Sequence, residues 1–336
     1  MKQSGVQRVV VTGGAGFLGS HLCEALVSRG AHVLCIDNFY TGSRQNIQPL
    51  LDSHRFELLC HDVTQRFSVE AHTIYNLACP ASPDHYQRDP VYTTKTCVYG
   101  AMNMLDIARV KNAVILQAST SEVYGDPEVH PQSEGYYGNV NPIGVRSCYD
   151  EGKRCAEALF FDFHRKYKQP IKVARIFNTY GPRMHPNDGR VVSNFVVQAL
   201  MNRDITIYGE GLQTRSFCYV TDMVDAIVRL MNSPERVTGP VNLGSSVEFT
   251  IRELADLIVA LTNSRSKIIC AAPRADDPRQ RQPNTNLCET DLGWRATTPL
   301  GTGLERTIEY FDRLLGGRKI APPDYAAAAQ PATAKA

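Results

Sequence analysis

The chain is 336 residues long, 43% apolar and 21% charged, with a formal net charge of +2. That length buries a core without help from disulfides or metals, and it suits two domains or one large α/β unit with an appended lobe. The near-neutral balance gives no sign of a nucleic-acid surface or a polybasic membrane patch, and no apolar run reaches the about 18 residues that would span a bilayer.

The opening residues, MKQSGVQRVVVTGG, run directly into a strand over Arg8–Gly13, which leaves no room for a signal peptide. A helix is predicted over Ser20–Gly30. Strands follow over His32–Asp37, Arg55–Asp62 and Thr73–Ala78, then a long helix over Val91–Val110 and a strand over Ala113–Ser119. A loop rich in Pro and Gly spans Gly125–Ser147. Beyond it come a helix over Tyr149–Lys168 and a strand over Lys172–Asn178. Strands that alternate with helices and are apolar throughout predict a parallel sheet covered on both faces. After Gly181 the pattern loosens. Helices are expected over Arg190–Asn202, from a cap at Thr221 or Asp222, and over Thr250–Asn263, where Thr250 and Glu253 have capping-box spacing. A short strand is expected over Ile205–Gly209. The tail AAAAQPATAKA is low-complexity and predicted disordered. The expected organisation is therefore a cofactor-binding domain over 1–180, a smaller α/β substrate lobe mainly over 181–320, and a disordered tail over 321–336. The ten cysteines include no CxxC pair, so they read as reduced thiols of a cytoplasmic protein. No His/Cys cluster has the spacing of a metal site.

Two motifs point to chemistry. VVVTGGAGFLGSHL places Gly13, Gly16 and Gly19 between a strand and a helix. In a Rossmann-type, doubly wound sheet the first glycine permits the tight turn, the second lets backbone approach a pyrophosphate, and the third packs helix on strand. The helix N-terminus then offers its N–H groups to the anion. Asp37 ends the second strand, where a carboxylate accepts hydrogen bonds from an adenosine ribose and repels a 2′-phosphate, so NAD is favoured over NADP. Asp62 and Val63, at the end of the third strand, are placed near the adenine. In CYDEGKRCAEAL, Tyr149 and Lys153 lie one helical turn apart on one face. A free phenol titrates at about 10. The ammonium and a cationic nicotinamide are expected to lower that value and make Tyr149 a base at neutral pH. Thr120, at the end of VILQAST, is placed to hydrogen-bond the same substrate hydroxyl.

The segments TGGAGFLGSHL, DNFYTG, STSEVYGD, YDEGKR, RIFNTYGPRM and YGEGLQTRSFCYVTD occur in the style and order of the extended short-chain dehydrogenases/reductases that act on nucleotide sugars. The resemblance spans roughly residues 7–315. Within that family, ASTSEVYGDPEVHPQSE, NPIGVRSCYDEGKR, MHPNDGRVVSNFVVQAL and DDPRQRQPN resemble the branch that decarboxylates UDP-glucuronate. That branch implies UDP-glucuronate as substrate, transient oxidation at C4, loss of CO2, protonation at C5, and bound NAD regenerated within each cycle. Ser121 stands where related 4,6-dehydratases carry an Asp that assists loss of the C6 hydroxyl, a step this substrate does not need. Glu122 is expected to handle a proton at C5 or to orient a water that does so. Arg281 is expected to bind the substrate, with the C5 proton donor left unassigned.

The resemblance further places Phe17, Leu18, Asn38, Phe39, Thr41, Gly42 and Ala78 around the cofactor, with Thr179 and Arg190 touching it. Asn178 and Arg215 are expected at the pyrophosphate. Val192, Ser193, Asn194 and Phe195, with Tyr208 and Gln213, frame uracil and ribose. Tyr86 and Lys95 line the sugar end. Cys79 and Cys97 depart from the branch, which has Ser and Asn there. The helices at 91–110 and 149–168 are those the family pairs in a homodimer. Two alternatives remain open at this point: a UDP-sugar 4-epimerase on the same framework, and a non-catalytic NAD-binding scaffold. The joint presence of Tyr149, Lys153 and Thr120 argues against the second.

Overall fold

The computed structural model describes residues 7–273 and 276–316; the expected disordered tail at 321–336 lies outside them. Its centre is a parallel sheet of seven strands: β1 (Arg8–Thr12), β2 (His32–Asp37), β3 (Phe56–Cys60), β4 (Thr73–Asn76), β5 (Val114–Thr120), β6 (Ile171–Ile176) and β7 (Val241–Leu243). The order is β7-β6-β5-β4-β1-β2-β3. Side chains alternate between faces along a strand. Val9 and Val11 of β1 pack with Leu22 and Leu26 of α1 (Phe17–Ser28) in one apolar layer. Val10 joins Leu34, Ile74, Leu105 and Phe160 in the other. Both faces are thus covered, which is why these strands read as unbroken apolar runs. Strand order reverses between β1 and β4, and at such a switch point a crevice opens at the carboxyl ends of the strands.

The long helix expected at 91–110 is present but not uniform. It comprises α2 (Pro90–Lys95), a π-helical turn (Thr96–Gly100) and α3 (Ala101–Lys111). Beside it runs α4 (Ser147–Tyr167). The second half of the chain adds α5 (Val191–Leu200), α6 (Val220–Met231), α7 (Ile251–Thr262) and α8 (Leu300–Leu315). The capping box of α7 is formed as expected, with Thr250 and Glu253 each accepting from the other's backbone N–H. The expected cap of α6 is not. The N-cap is Tyr219, without a side-chain bond. Asp222 lies one turn in and accepts from Thr297 N, Thr298 N and Thr298 Oγ1, at 2.8, 2.7 and 2.9 Å. Its carboxylate thereby holds the segment leading into α8.

One feature binds the halves together. The chain crosses the expected division at residue 180, because β7 returns to the edge of the first sheet and pairs with β6. A three-stranded sheet then sets Thr214–Ser216 between Glu248–Thr250 and Gln280–Arg281, with Arg281 directly opposite Arg215. No described helix is long and apolar enough to cross a membrane.

A buried polar network fastens α4 to the β5–β6–β7 edge. Glu157 accepts from Ser119 Oγ at 2.5 Å and from Arg175 Nε and Nη2 at 3.0 and 2.8 Å. Arg175 also donates to the Tyr124 hydroxyl at 2.9 Å, which in turn donates to Asn242 Oδ1 at 2.7 Å. Removing one member of a buried pair strands the other charge, at a cost of about 3–5 kcal/mol. Glu157→Ala is therefore expected to lower unfolding free energy by about that amount in urea titration, and a loss near zero would show that the network does not hold this edge.

Candidate active site

Where β1 ends, the backbone turns at Gly13 with φ +68°, and a Cβ there would stand 2.9 Å from the backbone of Ala78, just beyond β4. A Cβ at Gly19 would meet the Gly13 carbonyl oxygen at 2.1 Å. Only glycine fits at either position. The N-cap of α1 is Gly16, which supplies no side-chain acceptor, so the first N–H groups of the helix remain available to an anion. Asp37, at the end of β2, accepts from Ala15 N at 2.9 Å and Phe39 N at 2.8 Å. A carboxylate has about four acceptor sites, so Asp37 keeps capacity for ribose hydroxyls while it shapes the turn.

This turn is one end of a cavity of about 1170 Å³. Single-ligand pockets run to about 300–1,000 Å³, so the volume suits a dinucleotide and a second ligand together. Of the residues expected at the cofactor, Gly13, Gly16, Phe17, Leu18, Gly19, Asp37, Asn38, Thr41, Val63, Ala78, Thr179 and Arg190 line it. Phe39, Gly42 and Asp62 do not. Gly42 instead packs on the Asp37 carboxylate, and Asp62 accepts from the Tyr92 hydroxyl at 2.8 Å and from Asn38 at 3.3 Å. The uncapped helix end, the glycine contacts and the Asp37 acceptor fit a dinucleotide.

Mid-cavity, α4 presents Tyr149 and Lys153 on one face. Lys153 Nζ lies 5.7 Å from the Tyr149 ring centroid and donates to Ala118 O at 2.8 Å. Tyr149 shares a side-chain hydrogen bond with Thr120, and the Tyr86 ring stacks on it at 5.0 Å with 4° between planes. The predicted lowering of the phenol is not found. Burial pushes Tyr149 well up, the nearby Cys79 adds to this, and the bond with Thr120 only partly opposes it. The isolated chain therefore holds a neutral phenol.

The strand end that carries Thr120 continues into a single 3-10 turn, Ser121–Tyr124, in which Glu122 N–H donates to Thr120 Oγ1 at 3.2 Å. Ser121 and Glu122 also line the cavity. The Glu122 carboxylate is not free. Both oxygens engage the Arg281 guanidinium, one at 2.9 Å and the other closer still, and Arg146 Nη2 stands 3.8 Å away. Burial pushes the carboxyl up, but the charges of Arg146 and Arg281, the Arg281 hydrogen bonds and the charge of Arg215 hold it at about 2. Arg281 Nε is buried with no partner among the described residues. Arg215 donates to Pro278 O at 2.5 Å and to Asp277 Oδ2 at 3.3 Å.

Among the residues expected at the substrate, Tyr86, Asn178, Val192, Asn194, Phe195, Tyr208, Gln213, Arg215 and Arg281 line the cavity. Two do not. Lys95 is exposed: Tyr92 and Thr96, four residues apart on α2 and the π turn, take the cavity face, and Lys95 falls on the other side. Ser193 is fully buried behind the wall and donates to Asp188 Oδ1 at 2.5 Å. Sequence reasoning also missed Arg146. It lines the cavity, donates to the Tyr86 hydroxyl at 2.8 Å and to Asp277 Oδ1 at 3.1 Å, and stands three residues before Tyr149 inside NPIGVRSCYDEGKR. Its position one turn upstream of the phenol was the available signal. Asp150 was missed as well. Burial and the adjacent Glu122 charge push it up to about 8 against Arg146 and Arg281, and its Oδ1 has no partner among the described residues.

Residues 9–244 match the model of the NAD-dependent epimerase/dehydratase family. The chain is 51% identical over 313 residues to UDP-glucuronic acid decarboxylase 5 of Arabidopsis thaliana, covering 93% of this chain and 91% of that protein. It is 50% identical over 309 residues to UDP-glucuronic acid decarboxylase 1 of Danio rerio, covering 92% and 73%. Among solved structures, UDP-glucuronic acid 4-epimerase from Bacillus cereus, in complex with UDP-glucuronic acid and NAD, superposes with a TM-score of 0.82 at 26% identity, covering 92% of this chain and 100% of that one. By fold, glycine turn and extent of similarity, the chain belongs to the NAD-dependent epimerase/dehydratase family, the extended short-chain dehydrogenases/reductases.

Proposed function

We propose that the chain decarboxylates UDP-glucuronate to UDP-xylose and CO2 through a 4-keto sugar, with NAD regenerated in each cycle. The observation that carries this reading is the set of buried arginines, 146, 215 and 281, around one carboxylate at the cavity end beyond Tyr149 and Thr120. Such a cationic wall matches a substrate with a pyrophosphate and a sugar carboxylate. The relatives about half identical to this chain carry the matching name.

The chemistry NAD supplies when bound is reversible oxidation at C4 of the sugar. Gly13, Gly16, Gly19 and Asp37 would hold it, with Lys153 beside its reactive end. Tyr149 takes the proton of the 4-hydroxyl, assisted by Thr120, which shares its hydrogen bond. Lys153 stabilises the phenolate, and a cationic ring adds to that effect, offsetting the burial that keeps the phenol neutral otherwise. A ketone at C4 is β to the C6 carboxylate. When CO2 leaves, the electron pair delocalises onto the C4 oxygen, where the Tyr149 and Thr120 hydroxyls are placed as donors. Asn178 and Arg215 bind the pyrophosphate, and the segment from Val192 to Phe195, with Tyr208 and Gln213, frames the nucleoside. Because Glu122 already engages both Nη1 and Nη2 of Arg281, the sugar carboxylate meets a partly neutralised guanidinium. It is oriented without being clamped, which favours its departure. Glu122, at about 2, is ionised throughout the neutral range and acts as an acceptor, not as the acid at C5.

We further propose a cytoplasmic homodimer. The α2–α3 helix and α4 expose Val91, Tyr99, Val110 and Tyr167 on one side of the sheet, an apolar set suited to pairing with a second copy. The ten free cysteines suit a reducing compartment.

Incubating purified chain with UDP-glucuronate, without added NAD, is expected to yield UDP-xylose by mass analysis. Tyr149→Phe should cut turnover about 100- to 10,000-fold while NAD stays bound. A product isomeric with the substrate would replace this reading with the epimerase. Light scattering at micromolar concentration should give the mass of two chains, and a monomer would remove the homodimer. Asp150 gives a pH test. Its folded value, about 8, lies above the ordinary carboxyl value of 3.8. The protonated form is therefore favoured by folding, a stabilisation that is full below about 4 and lost as pH rises through about 8. Asp150→Asn should accordingly gain in melting temperature relative to the parent as pH rises from 5 to about 8, and a difference independent of pH would contradict that protonation state.

A further inference from the structure

The cavity wall beside Tyr149 holds two thiols that the proposed reaction does not use. Cys79 follows β4, is half-buried and lines the cavity. Cys97 lies behind it in the π-helical turn, 3% exposed. Their Sγ atoms are 3.3 Å apart and share an S–H hydrogen bond. Cys97 also packs on α4, since a Cβ at Gly152 would stand 2.9 Å from Cys97 Cβ, immediately before Lys153. Of the other thiols, Cys148 is buried in the cluster that Cys79 packs against and donates to Tyr86 O at 3.5 Å. Cys60, Cys155 and Cys270 are exposed and free, while Cys23 and Cys35 touch Gly14 in the sealed core.

We propose that Cys79 and Cys97 form a reversible dithiol–disulfide couple through which a hydroperoxide weakens NAD binding. Cys79 is the sensing thiol. It faces the cavity, and although burial opposes its ionisation, the hydrogen bond with Cys97 and the Lys153 charge together draw it below the usual thiol value. The same bond, then burial, pushes Cys97 well up. An accessible thiolate next to a resolving thiol is the arrangement of redox sensors. The Cys79 thiolate attacks one peroxide oxygen, the O–O bond breaks, and the leaving hydroxide takes a proton to become water. Cys79 is now a sulfenic acid. Cys97 sulfur attacks it, the S–OH bond breaks, and the Cys97 proton leaves with that hydroxide as a second water. Two thiols and one hydrogen peroxide thus become one disulfide and two waters, with both electrons drawn from sulfur.

Geometry links this event to the cofactor. A disulfide brings the sulfurs to about 2 Å, from 3.3 Å in the dithiol. Cys79 is therefore drawn toward the π turn. Its neighbour Ala78 donates to Thr12 Oγ1 at 3.2 Å and abuts Gly13, so the glycine turn moves with it. A displacement of about 1 Å in a positioned site costs up to about 100-fold.

The test uses the full chain, reduced and then treated with equimolar hydrogen peroxide, followed by alkylation, digestion and mass mapping. A Cys79–Cys97 linkage is expected ahead of oxidation at Cys60, Cys155 or Cys270. NAD affinity should fall about ten-fold or more in step with the linkage, and dithiothreitol should restore both. In Cys97→Ser, peroxide should leave Cys79 as a sulfenic acid that dimedone traps. Cys79 and Cys97 still open to alkylation after the exposed thiols have oxidised would overturn the couple. Full linkage with unchanged NAD affinity would overturn its effect. Both readouts are independent of which sugar is the substrate.

Discussion

The paired charges of Glu122 and Arg281 are the constraint on which the rest of the site depends. They stand 159 residues apart in the chain, one at the end of a central strand and the other on a short strand of the second sheet. A carboxylate and a guanidinium lose hydration when buried, and only close bidentate geometry compensates. The two halves of the molecule must therefore meet in one register for either group to be tolerated. Arg146 adds a second cation to the same carboxylate and carries the order outward through the Tyr86 hydroxyl to the ring stacked on Tyr149. Placement of the phenol thus follows from placement of an ion pair it does not touch.

Around that pair, neighbouring carboxyls are driven to opposite states. Glu122 meets the arginines directly and stays ionised, while Asp150, one residue past the phenol, feels the Glu122 charge and burial more than the same arginines and stays protonated. Two carboxyls within reach of the same arginines are thus held in different protonation states at one pH. The phenol itself shows the same logic. Its burial keeps it neutral in the chain alone.

Much of this was legible in the chain, and the boundary of legibility is physical. Strands buried on both faces are unbroken apolar runs, so the strand at His32–Asp37 was placed to the residue. The glycine turn and the Tyr149–Lys153 spacing are local, and local geometry follows from local sequence. The capping box at Thr250 is local too. Asp222 was misread as a cap because an acid near a helix start satisfies that pattern, whereas its actual partners lie about Thr297, beyond the reach of any local rule. Lys95 was misplaced for a similar reason. Which side of α2 faces the cavity depends on α4, and a π turn that begins at the next residue, Thr96, shifts the phase of the helix. The Glu122–Arg281 pair is a product of docking, and nothing near either residue in the chain announces it.

The return of β7 to the first sheet has a bearing on how such a protein can be taken apart. A fragment ending near residue 180 would keep the glycine turn, Asp37 and the phenol but lose Arg190, and it would leave the outer edge of β6 as a row of bare amide and carbonyl groups. Such an edge recruits strands from other molecules. Recombining the specificity half of one enzyme with the cofactor half of another therefore has its natural seam elsewhere: the donor must bring its own edge strand, and the graft must restore the hydrogen-bond ladder as well as the pocket.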